Sequence, residues 1–519
     1  MYDDHEALTV QQWTPDEAGF SAEELHNPSI LMRANSFSIT ANAFINETEA
    51  TARRYIITNS PNVSSPGHQP GPPSPSPSPS ALLPRYDTNS SPGLNVTSPS
   101  VTFIPYPRIE KPGRIGFSSD LFYLDRYCHV IGPWFDLFDQ KRNFSLVVPH
   151  VSLDNALLRL SSLACASRQH HLVSSSNADT TLAYYDDALK MLTVSLRDES
   201  TSSSTAVFAS CLFLAHCEMI GASTQDWHLH ISGTYSLIRT HGWHGQSGGL
   251  GQACFWIYCR MDLLSSLATG EPTRLDTSLW TLDSSSLPGI WEIDTWANHS
   301  VFILATVHNF LCKIRQNPTF TPSFFAEWQF LNNSMDSHEQ DQPSIFRPLV
   351  NLPPSRDNPF PSNLYISEAV SAALQMFDLA RLLLLLSRPE RSRSERIARF
   401  QAQGGVATLY IDRIIASSIV NRHDVNWATA VQLLSSAGHS LVGWRKRKAL
   451  LECLVDIQSR TGWNTQENVT GLLQWWGWAG VLLESGYEWR DVTEEIGEES
   501  TVGEELMRMF EWKPSRVES

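Results

Sequence analysis

WHLHISGTYSLIRTHGWHGQSGGLGQACFWIYCRMDLLSSLATGEPTRLDTSLW, Trp227 to Trp280, is the stretch that decides how this chain folds. From about Gln252 to Thr269 it is apolar nearly all round, through Phe255, Trp256, Ile257, Tyr258, Met261, Leu263, Leu264 and Leu267. A helix with no polar face is one enclosed by other helices. Arg260 and Asp262 fall inside this run, and a buried charge without a partner is costly, so both need internal partners; for Arg260 a carboxylate from elsewhere in the chain is expected. Trp256 stands four residues before Arg260 on the same face, a spacing that lets the two stack. The stretch holds no recognisable catalytic constellation and reads as a receiver.

Helical periodicity extends outward from it. Leu153, Leu157, Leu160 and Leu163 keep one face behind a Ser152 cap, and Leu182, Tyr185, Leu189 and Leu192 keep another behind Asp179 or Thr180. Thr205 to Ile220 is apolar and stops at Gly221. The same period marks Ser300 to Lys313, Leu364 to Leu386, Val406 to Val420, Asn426 to Leu441, Lys448 to Ser459 and Val469 to Leu483. No strand alternation competes and no fixed-period repeat appears, which predicts an all-α fold, a large irregular array of helices. Ala369 to Leu386 has the length of a membrane span, but Asp378 and Arg381 near its middle are too expensive in lipid. It reads as a buried helix ending at Ser387, Arg388 and Pro389.

The helical domain is expected over 118–487, with a Pro-rich insertion at about 316–363 that reads as a long loop or a seam between two halves. Residues 1–111 are predicted to be a disordered leader, because GHQPGPPSPSPSPS (Gly67 to Ser80) and NSSPGLNVTSPS (Asn89 to Ser100) offer little to bury. Its start is acidic, with Leu8, Trp13 and Phe20 interspersed. The segment 488–519 is rich in Glu before Leu506, Met507, Met509 and Phe510, and is read as a solvated acidic tail, with a short partner-binding helix as the alternative.

Across 519 residues the hydrophobic fraction is 42%, with 17 Trp, enough to build a bulky aromatic core. The formal net charge is −16, the wrong sign for nonspecific attraction to a phosphate backbone. The eight cysteines lie mostly in apolar runs and are expected to be buried and reduced. No secretory signal opens the chain, so the Asn-x-Ser/Thr matches at Asn46, Asn62, Asn95 and Asn468 are read as chance.

His228, His230, His241 and His244 form an H-x-H and an H-x2-H that could ligate a metal, but they fall on a helix and a Gly-rich turn and read more simply as structural. Asp186 and Asp187 fail as a magnesium motif because Lys190 stands where the next carboxylate should. P-loop and dinucleotide fingerprints are missing from the sequence. Arg445 to Lys448, and Arg388, Arg391, Arg393, Arg396 and Arg399, read as nuclear import signals or as solvated helix ends.

Trp227, His230, Ile231 and Gly233 spell W-x2-H-aliphatic-x-G, and Phe255, Trp256, Tyr258, Arg260 and Asp262 spell F-W-x-Y-x-R-x-D. Upstream stand LFYLDRYCHVIGPWFDLFDQKRNF (Leu121 to Phe144), VPHVSLDNALLRLSSLACASRQH (Val148 to His170) and YYDDALKMLTVSL (Tyr184 to Leu196); downstream stands WWGWAGVLLESGY (Trp475 to Tyr487). In this order, over about Ser118 to Tyr487, they resemble the middle regulatory region of fungal-specific transcription factors of the second fungal transcription-factor domain family. The resemblance implies a nuclear transcription regulator and no enzyme. It implies co-regulator proteins as partners, with a small-molecule effector and a homodimer as further ones, and no membrane. Trp227, His230, Gly233, Phe255, Trp256, Arg260 and Asp262 are its structural motif residues; no catalytic, cofactor-binding or metal-binding residue is assigned.

Proteins of this type usually carry an N-terminal six-cysteine zinc cluster. Here the first cysteine is Cys128 and no CxxC pair occurs. Zinc is therefore expected only if an upstream exon encodes the cluster, and direct DNA binding by this chain is not expected. The alternative is a cluster-less all-α enzyme or small-molecule-binding protein sharing the fold.

Overall fold

The computed structural model describes residues 117–174, 176, 178–221, 228–281, 292–317, 320–485, 488–491 and 500–511. The expected leader, 1–111, and Trp227 lie outside them. Seven helices come first: α1 (Phe117–Arg126), α2 (Gly132–Phe135), α3 (Val148–Asp154), α4 (Ala156–Ser174), α5 (Asp179–Arg197), α6 (Glu199–Ser202) and α7 (Thr205–Met219). The central stretch supplies α8 (His228–His241) and α9 (Gly249–Thr269). Then follow α10 (Ile293–Gln316), α11 (Pro322–Asp341), α12 (Glu368–Ser387), α13 (Arg393–Val420), α14 (Asp424–Gly438), α15 (Trp444–Thr461), α16 (Gln466–Trp475), α17 (Trp478–Ser485) and α18 (Val502–Glu511). The fold is all-α, and its apolar residues form one continuous core.

The fully apolar helices sit at the centre, as an all-round hydrophobic surface requires. α7 is buried along nearly its whole length and packs on α4, α8 and α9. α10 and α12 form the most extensive helix pair. α12 is long and apolar enough to cross a membrane, but the neighbouring helices cover most of it. The two charges near its middle are paired: Asp378 with Arg413 at 3.0 Å, and Arg381 with Asp336 at 2.7 Å and Glu339 at 2.8 Å. All eight cysteines are free thiols, seven of them buried.

Four expectations need correction. The Pro-rich insertion contains α11, because Pro322 occupies the first helical position, where its missing N–H costs nothing, and the Thr321 side chain caps the turn by accepting from Phe324 N–H. It also contains two short antiparallel strands, Val350–Leu352 against Ser362–Leu364. The cap expected at Ser152 is Asn155, whose side chain accepts from Leu158 N–H at 2.9 Å; Leu153 precedes the break and is exposed. The segment expected to be a solvated tail contributes α18, which buries Leu506, Met509 and Phe510 against α13. Gly503 permits that approach, since a Cβ there would stand 3.2 Å from the backbone of Phe400 and Gln401.

The basic runs are also built into the fold. Lys446 pairs with Asp412 at 2.7 Å, the buried Arg447 donates to Leu441 O at 3.0 Å, and Arg445 and Lys448 donate to the carbonyls of Arg356 and Arg490. Arg396 and Arg399 converge on Glu390, and Arg393 bridges to Glu511 at 2.9 Å.

Candidate functional site

The geometry around α9 accounts for most of the motif residues. Asp262 is fully buried: one oxygen accepts from Leu275 N–H at 3.0 Å and the other faces the Arg274 guanidinium at 3.7 Å. Burial still pushes its carboxyl up to about 6. This contact fixes the chain after α9 so that Trp280 returns edge-on to Trp256, ring centres 6.1 Å apart. Trp256 donates its indole N–H to Gly245 O at 3.3 Å, and Phe255 lies edge-on to it. Gly245 admits no side chain, because a Cβ would fall 2.7 Å from Thr281 O and 2.9 Å from the Trp256 ring.

Arg260 departs from expectation in two ways. It does not stack on Trp256; its guanidinium lies over the Phe138 ring at 4.8 Å. Nor does it form an ion pair among the described residues: Nη2 donates to Phe135 O at 3.0 Å and Nη1 is buried without a hydrogen-bond partner. The nearby Asp136 is already taken, accepting from the backbone N–H groups of Phe144 and Ser145 at 2.8 and 2.9 Å and from the Ser145 hydroxyl. The carbonyl that closes α2 is therefore the acceptor left for Arg260. Burial brings its pKa down to about 10, against the pull of Asp139 and Asp136.

His230 lies in the first turn of α8 and the buried Gly233 one turn on, at a helix that packs against α7 and α9. His241 sits beside Trp243 and His244 accepts from Gln246 N–H in the following turn. Among the described residues no three His, Cys, Asp or Glu converge as metal ligands.

Past Leu267, α9 stops at Gly270 (φ 72°) and the packing opens. A cavity of about 210 Å³ lies between the ends of α9, α10, α12, α14, α16 and α18. Arg315, from the last turn of α10, lines it; Nη2 donates to Met509 O at 2.7 Å and Nε is buried with no hydrogen-bond partner. Asn468 donates to Gln432 Oε1 at 3.3 Å, while its own Oδ1 is buried without a donor. Two imidazoles flank them. His308 contacts Glu271 O through Nε2 at 2.9 Å and His439 contacts Ser435 O through Nδ1 at 2.7 Å, with the His439 ring edge-on to Trp475. Burial pulls both down to about 4, and in each the Arg315 charge adds to the shift.

Sequence reading did not find this site. The periodicity predicts a helix ending at Lys313, short of Arg315, and Asn468 reads as a chance sequon. The usable signal was local: Arg315 directly follows Leu311, Cys312 and Ile314, all buried, so its charge had to begin inside the core.

Fold and site together define an all-α domain with Arg260 and Asp262 held inside. The profile of the fungal-specific transcription factor domain matches residues 122–389, and the chain belongs to that family. A relative, "Transcription activator AMTR1" of Alternaria alternata, is 24% identical over 366 residues, covering 58% of this chain and 48% of the relative. The chain thus spans about half the length of the curated relative it matches. No solved structure matches it.

Proposed function

We propose that this chain is a transcription regulator that acts in the nucleus through its helical domain, by engaging co-regulator proteins and not by reading DNA itself. The observation that carries this reading is the family match over residues 122–389, which falls on a closed helical array. The relative's name, transcription activator, supports activation as the direction of output. Two features of the chain favour indirect contact with promoters. Its net charge is −16, and its two basic runs are tied to carboxylates, carbonyls and rings of the fold, so neither presents a free cationic face for phosphates.

The test is to fuse the full chain to a heterologous DNA-binding domain in a fungal reporter strain. Reporter output should rise severalfold over the DNA-binding domain alone, with the fusion in the nucleus. Output equal to that of the DNA-binding domain alone, at matched nuclear abundance, would overturn the proposal.

A further inference from the structure

We infer that the cavity at the C-terminal end of α9 binds a small organic monocarboxylate, whose anionic end meets Arg315 and whose apolar body lies against Leu267, Leu383 and Trp475. This rests on the reading of the domain as a receiver and names the ligand class it would take.

Charge comes first. Several other buried or half-buried arginines are matched by carboxylates, Arg381 by Asp336 and Glu339, Arg399 by Glu390 and Arg413 by Asp378, while the buried Arg260 is met by the Phe135 carbonyl and the Phe138 ring. Arg315 has no carboxylate within ion-pair distance among the described residues, and its Nε points a donor at no acceptor. A desolvated cation of this kind gains most from an anion, and a guanidinium presents the fork that a carboxylate fits. The flanking His308 and His439 are held neutral, so they neither repel a cation strongly nor replace the missing counter-charge. Asn468, nine-tenths buried with an unsatisfied Oδ1, supplies an acceptor for a hydroxyl or amine elsewhere on the ligand.

Size and shape narrow the class further. An apolar cavity of about 150 Å³ accepts benzene, so about 210 Å³ suits a molecule of roughly ten non-hydrogen atoms. Inorganic phosphate would satisfy Arg315 but leave the leucine and tryptophan faces uncovered. Glu467 lines the cavity from the exposed first turn of α16, where it disfavours a second negative charge on the ligand. A monocarboxylate with an apolar body meets all these conditions.

The site also has a route to the rest of the molecule. Arg315 holds Met509 O of α18, and Asn468 holds Gln432 of α14. An occupant would therefore clamp α16 and α18 onto the central helices, which is how a receiver converts binding into a change of surface.

The experiment is thermal denaturation of the purified full chain with hexanoate, benzoate and phenylacetate, each beside its primary amide. At a hundredfold excess over Kd, at least one carboxylate should raise the melting temperature by roughly 3 °C or more while its amide does not. Arg315→Met should abolish the shift. Gly471→Leu serves as the second variant, because Gly471 lines the cavity and a Cβ there meets nothing within 4 Å, so bulk can enter without a clash. It too should abolish the shift, while keeping a cooperative transition. No shift with any of the three carboxylates, equal shifts with the amides, or a shift retained in Arg315→Met would each sink the inference. Binding without reporter output would overturn the regulatory proposal and leave the site standing; reporter output without binding would do the reverse.

Discussion

The two ends of α9 sit in opposite environments. Along its middle, Trp256, Arg260 and Asp262 are locked to Gly245, Phe135, Arg274 and Leu275 and packed against aromatic rings, although Arg260 Nη1 is unpartnered and openings of about 310 and 450 Å³ border Trp256. At its C-terminal end, beyond Leu267, the same helix borders a cavity where Arg315 and Asn468 keep buried polar atoms without partners. Proteins keep buried polar groups hydrogen-bonded because leaving them unmade is expensive. Where a packed interior tolerates such atoms beside a void, the void is the place to look for a ligand.

The hardest way to break this contrast is to mutate the filled end. Trp256→Ala should cost about 3–5 kcal/mol, because a buried indole leaves a cavity that the surrounding helices cannot fully close. Asp262→Ala should cost less, about 1–3 kcal/mol, since it leaves the buried Leu275 N–H without its acceptor while the exposed Arg274 turns to water. Both should lower soluble yield, melting temperature and reporter output together, measured beside Lys190→Ala, an exposed lysine whose loss should stay within about 0.5 kcal/mol. If Trp256→Ala melts like the wild type yet loses output, the filled end is itself a contact surface and the contrast fails.

A smaller effect follows from titration. His216, ringed by Trp134, Phe135 and Trp463, is pulled by burial to about 3, and His308 and His439 to about 4, all below the usual histidine value. The unfolded chain binds these protons first, so each histidine makes the fold lose stability as pH falls from about 6.5 toward 4, by up to about 1.4 kcal/mol per pH unit. Buried Asp136 and Asp262, raised to about 6, and Asp378, raised to about 7, act in the opposite sense and lose stability as pH rises from about 4. Removing one histidine should therefore tilt the balance visibly. His216→Phe keeps the ring packing and deletes the titration, so its melting temperature should fall less than wild type between pH 6.5 and 4. An unchanged slope would mean that His216 does not stay neutral in the fold.

Much of the frame was legible in the sequence because burial on all sides leaves a one-dimensional trace. α7, α9 and α12 are apolar at every turn, and their cores appear where the runs predict. α11 was hidden by reading Pro322 as a breaker when it starts a helix, and α18 by the glutamates that precede its apolar face. Arg260 was legible as buried but not in its partner, because the competition for Asp136 is decided by a turn at Asn143 to Val147 that has no sequence signature. Of the cavity only the placement of Arg315 after a buried run leaves a local trace; its convergence with Asn468 leaves none, since the two come from helices as far apart in sequence as α10 and α16.

The smallest and sharpest test places one substitution at both ends. Gly245→Ala pushes a methyl into the carbonyls of Trp280 and Thr281 and the Trp256 ring, at 3.0, 2.7 and 2.9 Å, and none of these can retreat without moving the return of the chain onto α9. A cost of about 1–3 kcal/mol is expected from such overpacking. Gly471→Ala adds the same methyl inside α16, where nothing lies within 4 Å. There the gain in helix propensity and the loss of unfolded-state freedom dominate, and stability should rise by roughly 0.5–1 kcal/mol. Chemical denaturation of the two variants, read as midpoints at constant slope, should displace them in opposite directions from the wild type. A loss of stability in Gly471→Ala would mean that the open end is closed in solution, and the difference between the two ends of α9 would vanish with it.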